Sequence, residues 1–236
     1  MKTSNKILAI AAVIPFALVL FVILVLRFKF EAATEADAGP NEASHGALIT
    51  RDFPVTGFTA VAISGGWKLT IMPADSYRVR VRAPEYLMDG IQVDRSDNTI
   101  YLRSPFIKHR KKENIRAEVY LPVLEKISSS GGSRIRFSNF TLKSLTLDIA
   151  GANRVRGTDN TIEELALTST GASRIDLSDS RITDADLRVN GAVSVELTMA
   201  GGDLTGVASG AASIIYYGEA NSQNIRTAGA VSIRQR

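Results

Sequence analysis

Short runs of alternating apolar and polar residues fill most of the chain beyond residue 48, and Gly or other turn-forming residues separate them. In the segment 164–183, Leu165 and Leu167 alternate with polar residues before a Gly-Ala pair, and Ile175 and Leu177 do so after it. A period of two over so few residues is typical of short β-strands that end at tight turns. The pattern therefore predicts an all-β protein.

One short unit returns at a nearly constant interval along the second half of the chain. It consists of Gly, one or two small residues, a polar position and a β-branched residue. Its six copies are Gly131–Ile135, Gly151–Val155, Gly171–Ile175, Gly191–Val195, Gly210–Ile214 and Gly229–Ile233, at intervals of 20, 20, 20, 19 and 19 residues. A fixed period of about 20 residues predicts a solenoid, in which each repeat buries its apolar side chains against its neighbours.

The composition of the repeat decides which kind of solenoid to expect. Gly, Ser, Thr and β-branched residues dominate and no helical period is sustained, which argues against helical repeats. The Asn ladder and helical half of a leucine-rich repeat are also missing. We therefore predict a single-stranded parallel β-helix over residues 48–236. Residues 48–127 would form irregular first coils and a cap, and residues 128–236 would form the regular coils of about 20 residues.

The first 30 residues have a different character. The segment Ile7–Leu26 is a run of 20 uncharged, mostly apolar residues, which is long enough to span a bilayer as a helix. We predict an uncleaved transmembrane signal anchor at residues 1–30 and a flexible, polar linker at 31–47. A cleaved signal peptide, with Ala36–Ala38 as its cleavage site, is the alternative. Two basic residues lie on each side of the run, so the positive-inside rule hardly favours either orientation.

Composition limits the chemistry further. The chain has 236 residues, no Cys and a net charge of +4, but four of its 28 basic residues flank the apolar run. Without them the remaining 24 basic and 24 acidic residues balance, so the head is neutral overall. The absence of Cys excludes disulfides, thiol chemistry and a lipid-modified N-terminal Cys.

Several segments together resemble a known bacterial family. They are Phe58–Gly66, Tyr77–Pro84, Leu121–Ile127 and the Gly-Ala repeats. Their order resembles the family called putative auto-transporter adhesin, head GIN domain, over about residues 50–236. The resemblance implies a β-helical head of a bacterial cell-envelope protein, and it implies no catalytic residues. With the anchor, it predicts a single-pass plasma-membrane protein whose head lies outside the cytoplasm.

Basic residues recur at outward positions after the Gly corners. Stacking of the coils would gather Arg134, Arg136, Arg154, Arg156 and Arg174 into one strip, which we name the arginine strip. Guanidinium groups suit carboxylates and phosphates, so the strip is a candidate site for an anionic envelope glycan or lipid headgroups. The alternative is an ordinary solvated face, in which neighbouring acids such as Asp176 and Glu196 pair with Arg156.

Other candidate sites are weaker. The basic run Lys108–Lys112 could touch lipid phosphates or form a solvated loop. Parallel β-helices host polysaccharide-acting enzymes, and one coil holds four acidic candidates, which are Asp176, Asp179, Asp184 and Asp186. No His pair, metal motif or nucleic-acid motif accompanies them, and the long side loops that build clefts in such enzymes are missing. We therefore expect no catalysis, no cofactor, no metal and no nucleic-acid partner.

Two functions follow as expectations. The first is a membrane-anchored, non-catalytic binding or adhesion module that contacts anionic envelope polymers. The second is a structural scaffold that associates with itself. The last repeat ends at Ile233–Arg236 without a recognisable cap, so its edge could stack on another copy unless Arg234 and Arg236 prevent this.

Overall fold

A computed structural model describes residues 47–105 and 115–236. The predicted anchor at 1–30, all but the last residue of the predicted linker at 31–47, and the basic run Lys108–Lys112 lie outside these ranges. Among the described residues, no helix has the length and apolar character that crossing a membrane requires.

The described chain is almost entirely β-structure. In the first part the strands are β1 (Leu48–Phe53), β2 (Ala60–Gly65), β3 (Lys68–Pro73), β4 (Arg78–Pro84), β5 (Gln92–Ser96), β6 (Thr99–Arg103) and β7 (Arg116–Leu121), with one short helix, α1 (Glu85–Met88). The regular part contains β8 (Lys126–Gly131), β9 (Arg134–Ser138), β10 (Thr141–Gly151), β11 (Arg154–Gly171), β12 (Arg174–Gly191), β13 (Ser194–Ala200), β14 (Asp203–Gly210), β15 (Ser213–Glu219), β16 (Ser222–Gly229) and β17 (Ser232–Gln235).

The regular part is a parallel β-solenoid, as the repeat predicted. Each strand pairs in parallel with the equivalent strand one coil further on, and the corner glycines lie in register from Gly131 to Gly151, Gly171 and Gly191. Inside, apolar side chains stack in rows such as Ile127, Leu147, Leu167 and Leu187, all buried. Each buried Leu or Ile of such a row contributes about 2 kcal/mol of transfer free energy. The core is therefore one continuous stack of these rows.

The first coils do not follow the order of the chain. Strand β2 pairs with β6 on one side and with β8 on the other, and β3 lies in the same way between β7 and β9. The coil of β2 and β3 is therefore enclosed between a later coil and the regular part. Antiparallel strands β4 and β1 extend one face beyond β7, and β5 pairs antiparallel with β6.

Candidate anion-binding groove

The Gly corner of each coil creates a groove along the solenoid. After the Gly, a small residue occupies the outward position of the corner, whereas the strand that follows carries a larger outward side chain. The surface is therefore lower at the corner than along that strand. Stacking over successive coils gives an open groove of about 860 Å³. Its small outward residues are Gly66, Gly132, Ala152, Ala172, Ala192, Ala211 and Ala230.

A ladder of buried polar side chains supports the floor of this groove. Ser133 Oγ accepts a hydrogen bond from the backbone N of Trp67 at 3.2 Å and donates to the carbonyl of Gly65 at 3.0 Å. One coil further, Asn153 Oδ1 accepts from the backbone N of Ser133 at 3.0 Å, and Ser173 Oγ accepts from the backbone N of Asn153 at 3.2 Å. These bonds satisfy backbone groups that the sharp corner leaves unpaired, so the floor is fixed before any ligand arrives.

One wall of the groove carries part of the arginine strip. Arg134, Arg154 and Arg174 lie in register on β9, β11 and β12, and all three line the groove with their side chains exposed. Neighbouring strands are about 4.8 Å apart, so three like charges are held close together. Within the described part of the chain, none of the three forms an ion pair. Their mutual repulsion is therefore relieved by solvent or by a bound anion.

The other two arginines of the strip lie one outward position further along their strands, outside the groove lining. Arg156 Nη2 binds Asp179 at 2.9 Å, and its Nε lies 3.8 Å from Asp176. The hydrogen bond with Asp179, aided by the charge of Asp176, raises the pKa of Arg156 above its usual range. Arg136 lies beside Arg156 and has no ion pair among the described residues. The arginine strip thus consists of three arginines that line the groove, of Arg156, which is paired with acids, and of Arg136, which lies outside the groove without an ion pair among the described residues.

The structure adds basic residues that sequence reasoning missed. Lys68 lies in register with Arg134, Arg116 with Lys68, and Arg82 with Arg116. We name the full series the basic column, and its members are Arg82, Arg116, Lys68, Arg134, Arg154 and Arg174. Lys68 could have been found, because Gly66-Trp67-Lys68 matches Gly132-Ser133-Arg134. Arg116 and Arg82 could not, because their strands join the stack out of chain order.

The column changes character towards the C-terminal coils. Arg174 is followed in register by Ser194, Ser213 and Ser232. The groove itself continues past Arg174 along Ser194 and Ser213 as far as Ala230. It therefore has a basic half and a neutral, hydroxyl-bearing half.

The acidic candidates for catalysis all have structural partners. Asp179 binds Arg156, Asp186 binds Arg188, and Asp176 Oδ1 accepts hydrogen bonds from Ser178. Asp184 Oδ1 accepts from the backbone N of Asp203 at 2.7 Å. In the described ranges no three His, Cys, Asp or Glu residues are grouped to hold a metal ion. The carboxylates of this coil therefore hold contacts within the coil and with the coils before and after it.

The family model for "Putative auto-transporter adhesin, head GIN domain" matches residues 57–220, more than half of the chain. The chain belongs to this family. The match spans the GIN-domain strands that carry the groove from Gly66 to Ser213. A search of the curated proteins found no match to the sequence.

Two solved structures are similar to this GIN domain. A crystal structure of a putative adhesin from Bacteroides fragilis is 19% identical with a TM-score of 0.65, and the match covers 84% of this chain and 99% of that one. A crystal structure of a putative lipid binding protein from Parabacteroides distasonis is 14% identical with a TM-score of 0.50, and covers 81% and 98%. At these identities the likeness establishes the shared fold.

Proposed function

We propose that this GIN domain is a non-catalytic binding module of the cell envelope that holds an anionic ligand in its corner groove. One observation carries the proposal, namely that Arg134, Arg154 and Arg174 line the groove in register without an ion pair in the described part of the chain. Because Arg presents a planar fork of donors, each coil offers one carboxylate or phosphate a two-point contact. The family's description as an adhesin head supports a binding role.

The remaining parts of the proposal come from the sequence. Residues 7–26 would attach the protein to the plasma membrane as an uncleaved anchor, and the linker at 31–47 would let the head reach ligands outside the cytoplasm. The Parabacteroides structure is described as a putative lipid binding protein, so lipid headgroups are a source of anions to test beside envelope glycans.

The full chain in neutral detergent provides the test. Its co-sedimentation with purified, insoluble cell-wall polymers is measured at low and high salt. The groove variant Arg134→Ser/Arg154→Ser/Arg174→Ser is compared with Arg181→Ser/Arg188→Ser/Arg226→Ser, which removes the same charge from other faces. We expect salt-sensitive binding that the groove variant loses by about tenfold or more and the control keeps. Equal behaviour of both variants and the unchanged chain would exclude the groove as the site.

A self-associating scaffold is the alternative function. Among the described strands, β16 and β17 pair on one side only, with β14 and β15, which leaves an open edge. The interior of this last coil is mixed, because Ile225, Val231 and Ile233 pack against the core but Gln223 and Gln235 lie in register with the buried Leu204 and Tyr216. Tyr216 Oη lies 2.9 Å from Gln223 Oε1 and 3.3 Å from Gln235 Oε1. These polar groups favour contact with water over stacking of another copy. The scaffold would be established if the protein bound no envelope polymer and formed oligomers whose size depends on its concentration.

A further inference from the structure

The basic column is twice as long as its three groove arginines. It crosses six adjacent strands in the order β4, β7, β3, β9, β11 and β12, with one cation on each. Five steps of about 4.8 Å give a line of roughly 24 Å parallel to the solenoid axis. The out-of-order first coils are what place Arg82 and Arg116 on this line.

At the outward positions next to the column, ion pairs reduce the net positive charge. Arg80, two residues from Arg82, donates to Asp52 at 2.8 Å and faces Glu118 in register. At the other end Arg156 is bound to Asp179, and Glu196 follows Asp176 on the next strand. Acids therefore offset the cations beside the two ends of the column, whereas Arg136 beside its middle and Arg82 and Arg116 within it have no ion pair among the described residues. A narrow line of positive charge suits a linear polyanion that lies along the axis.

The surroundings of the column distinguish among classes of polyanion. Single-stranded nucleic acids need exposed aromatic rings for stacking, and the one aromatic residue of the groove lining, Trp67, is buried. Membrane surfaces are held by apolar side chains as well as by charge. The exposed large hydrophobic residues of the described ranges, Leu48, Tyr86, Val123 and Val207, all lie outside the groove lining, and only Leu48 and Tyr86 come near the Arg82 end of the column.

The neutral half of the groove adds a positive criterion. Beyond Arg174 the lining presents the hydroxyl groups of Ser194 and Ser213 above stacked alanines. Hydroxyl groups there can exchange hydrogen bonds with the hydroxyls of sugar units, which polyphosphate does not have. We propose that the ligand is an acidic polysaccharide that lies parallel to the solenoid axis and reaches Arg116 and Arg82 as well as the groove arginines. This inference rests on the proposed function.

The test compares a short and a long ligand on the full chain in neutral detergent. Fluorescence anisotropy is measured with labelled digalacturonate and dodecagalacturonate, with linear polyphosphate and mixed micelles of the detergent and phosphatidylglycerol as competitors. The extension variant is Arg82→Ser/Arg116→Ser, and its matched control is Arg188→Ser/Arg226→Ser on another face. Circular dichroism verifies that each variant keeps its β-structure, which we expect because these side chains are outward.

We expect the extension variant to bind dodecagalacturonate about tenfold more weakly and digalacturonate within about twofold of the unchanged chain. The matched control should bind both like the unchanged chain. The groove variant should lose both ligands. Polyphosphate and the phosphatidylglycerol micelles should compete more weakly than unlabelled dodecagalacturonate.

Each contrary result has its own meaning. If the extension variant binds dodecagalacturonate normally while the groove variant does not, the proposed function stands and the longer site is wrong. Stronger competition by polyphosphate or by the phosphatidylglycerol micelles, or no binding of either galacturonate, overturns the proposal that the ligand is a polysaccharide. A groove variant that binds every ligand like the unchanged chain overturns the proposed function itself.

Discussion

The corner glycines show how strictly a stacked coil limits single residues. Gly171 has a φ of +105°, and a Cβ placed there would lie 2.7 Å from the carbonyl oxygen of Gly151 in the coil before. A side chain would thus be strained by its own backbone and would push the two coils apart. Gly132 differs, because a Cβ there would meet its nearest atom, the carbonyl oxygen of Ala152, at an ordinary 3.7 Å.

We predict that Gly171→Ala lowers the free energy of unfolding by about 2 kcal/mol or more. Gly132→Ala should leave it unchanged or raise it by up to ~1 kcal/mol, because alanine reduces the freedom of the unfolded chain. Urea unfolding of both variants, followed by circular dichroism, checks this pair. If Gly171→Ala were as harmless as is expected for Gly132→Ala, the corner would tolerate a Cβ at both positions, and an equally large loss in both would show that it tolerates a Cβ at neither.

The corner glycines were predictable because they recur in every regular coil, and the groove arginines because they recur in three successive coils at an interval of 20 residues. The partner of Arg156 was not. Asp179 lies 23 residues further along, and the register between β11 and β12 shifts at Arg156 and Thr158. Simple counting from coil to coil therefore leads to Asp176, and the shorter contact with Asp179 depends on a local irregularity of the strand.

Among the elements, the polar ladder of the corner ties one coil to the next. Ser129 and Ser169 occupy equivalent inward positions, since Ile149 pairs with both. Ser129 Oγ donates to Asn153 Oδ1 at 2.8 Å. Ser169 Oγ is buried and has no hydrogen-bond partner within the described ranges, because the coil after it carries Val193 at the place of Asn153.

We predict opposite effects of removing these two hydroxyl groups. Ser129→Ala should lower the free energy of unfolding by about 1 kcal/mol, because it removes a satisfied hydrogen bond. Ser169→Ala should leave the free energy of unfolding unchanged or raise it by a similar amount, because no hydrogen bond compensates for the desolvation of this hydroxyl. Thermal unfolding of the two variants gives the comparison. Destabilisation by Ser169→Ala as large as that by Ser129→Ala would imply a partner, such as a buried water, at Ser169.

The order of the first coils lay beyond sequence analysis for a related reason. Alternation identifies a strand and its inward side, but it does not name the strand with which it pairs. In the regular coils the repeat supplies that information. In the first part, the chain forms the coil of β2 and β3, adds the coil of β6 and β7 on its outer side, and returns through Pro122–Glu125 to β8. The cap and two members of the basic column follow from this path.

At the scale of the whole head, the distribution of charge matters more than its sum. The sequence beyond the predicted anchor holds as many acidic as basic residues, which predicts no preference for anions. Folding nevertheless gathers six cations in one line and binds several others to acids, as in the pairs Arg80–Asp52 and Arg188–Asp186. Attraction for an anion therefore becomes a property of one line on the surface.

If the ligand lies along the basic column, an added cation should strengthen binding only at a position on that column. Ser194 is the next position of the basic column after Arg174, whereas Val207 is an exposed residue between Arg188 and Arg226 on another face. Ser194→Arg and Val207→Arg add the same charge to the molecule. We predict that Ser194→Arg strengthens binding of dodecagalacturonate by about threefold, and more when Glu196→Gln removes the acid two residues away.

Val207→Arg should leave that binding within about twofold of the unchanged chain, although it also places three arginines in register. The reason is that its neighbours lie outside the corner groove, and Arg188 is already bound to Asp186. Fluorescence anisotropy at two salt concentrations separates the outcomes. An equal gain from both substitutions would mean that net charge alone attracts the ligand, and the groove would lose its role. A gain confined to Ser194→Arg would mean that the ligand lies along the column and continues into the next coil.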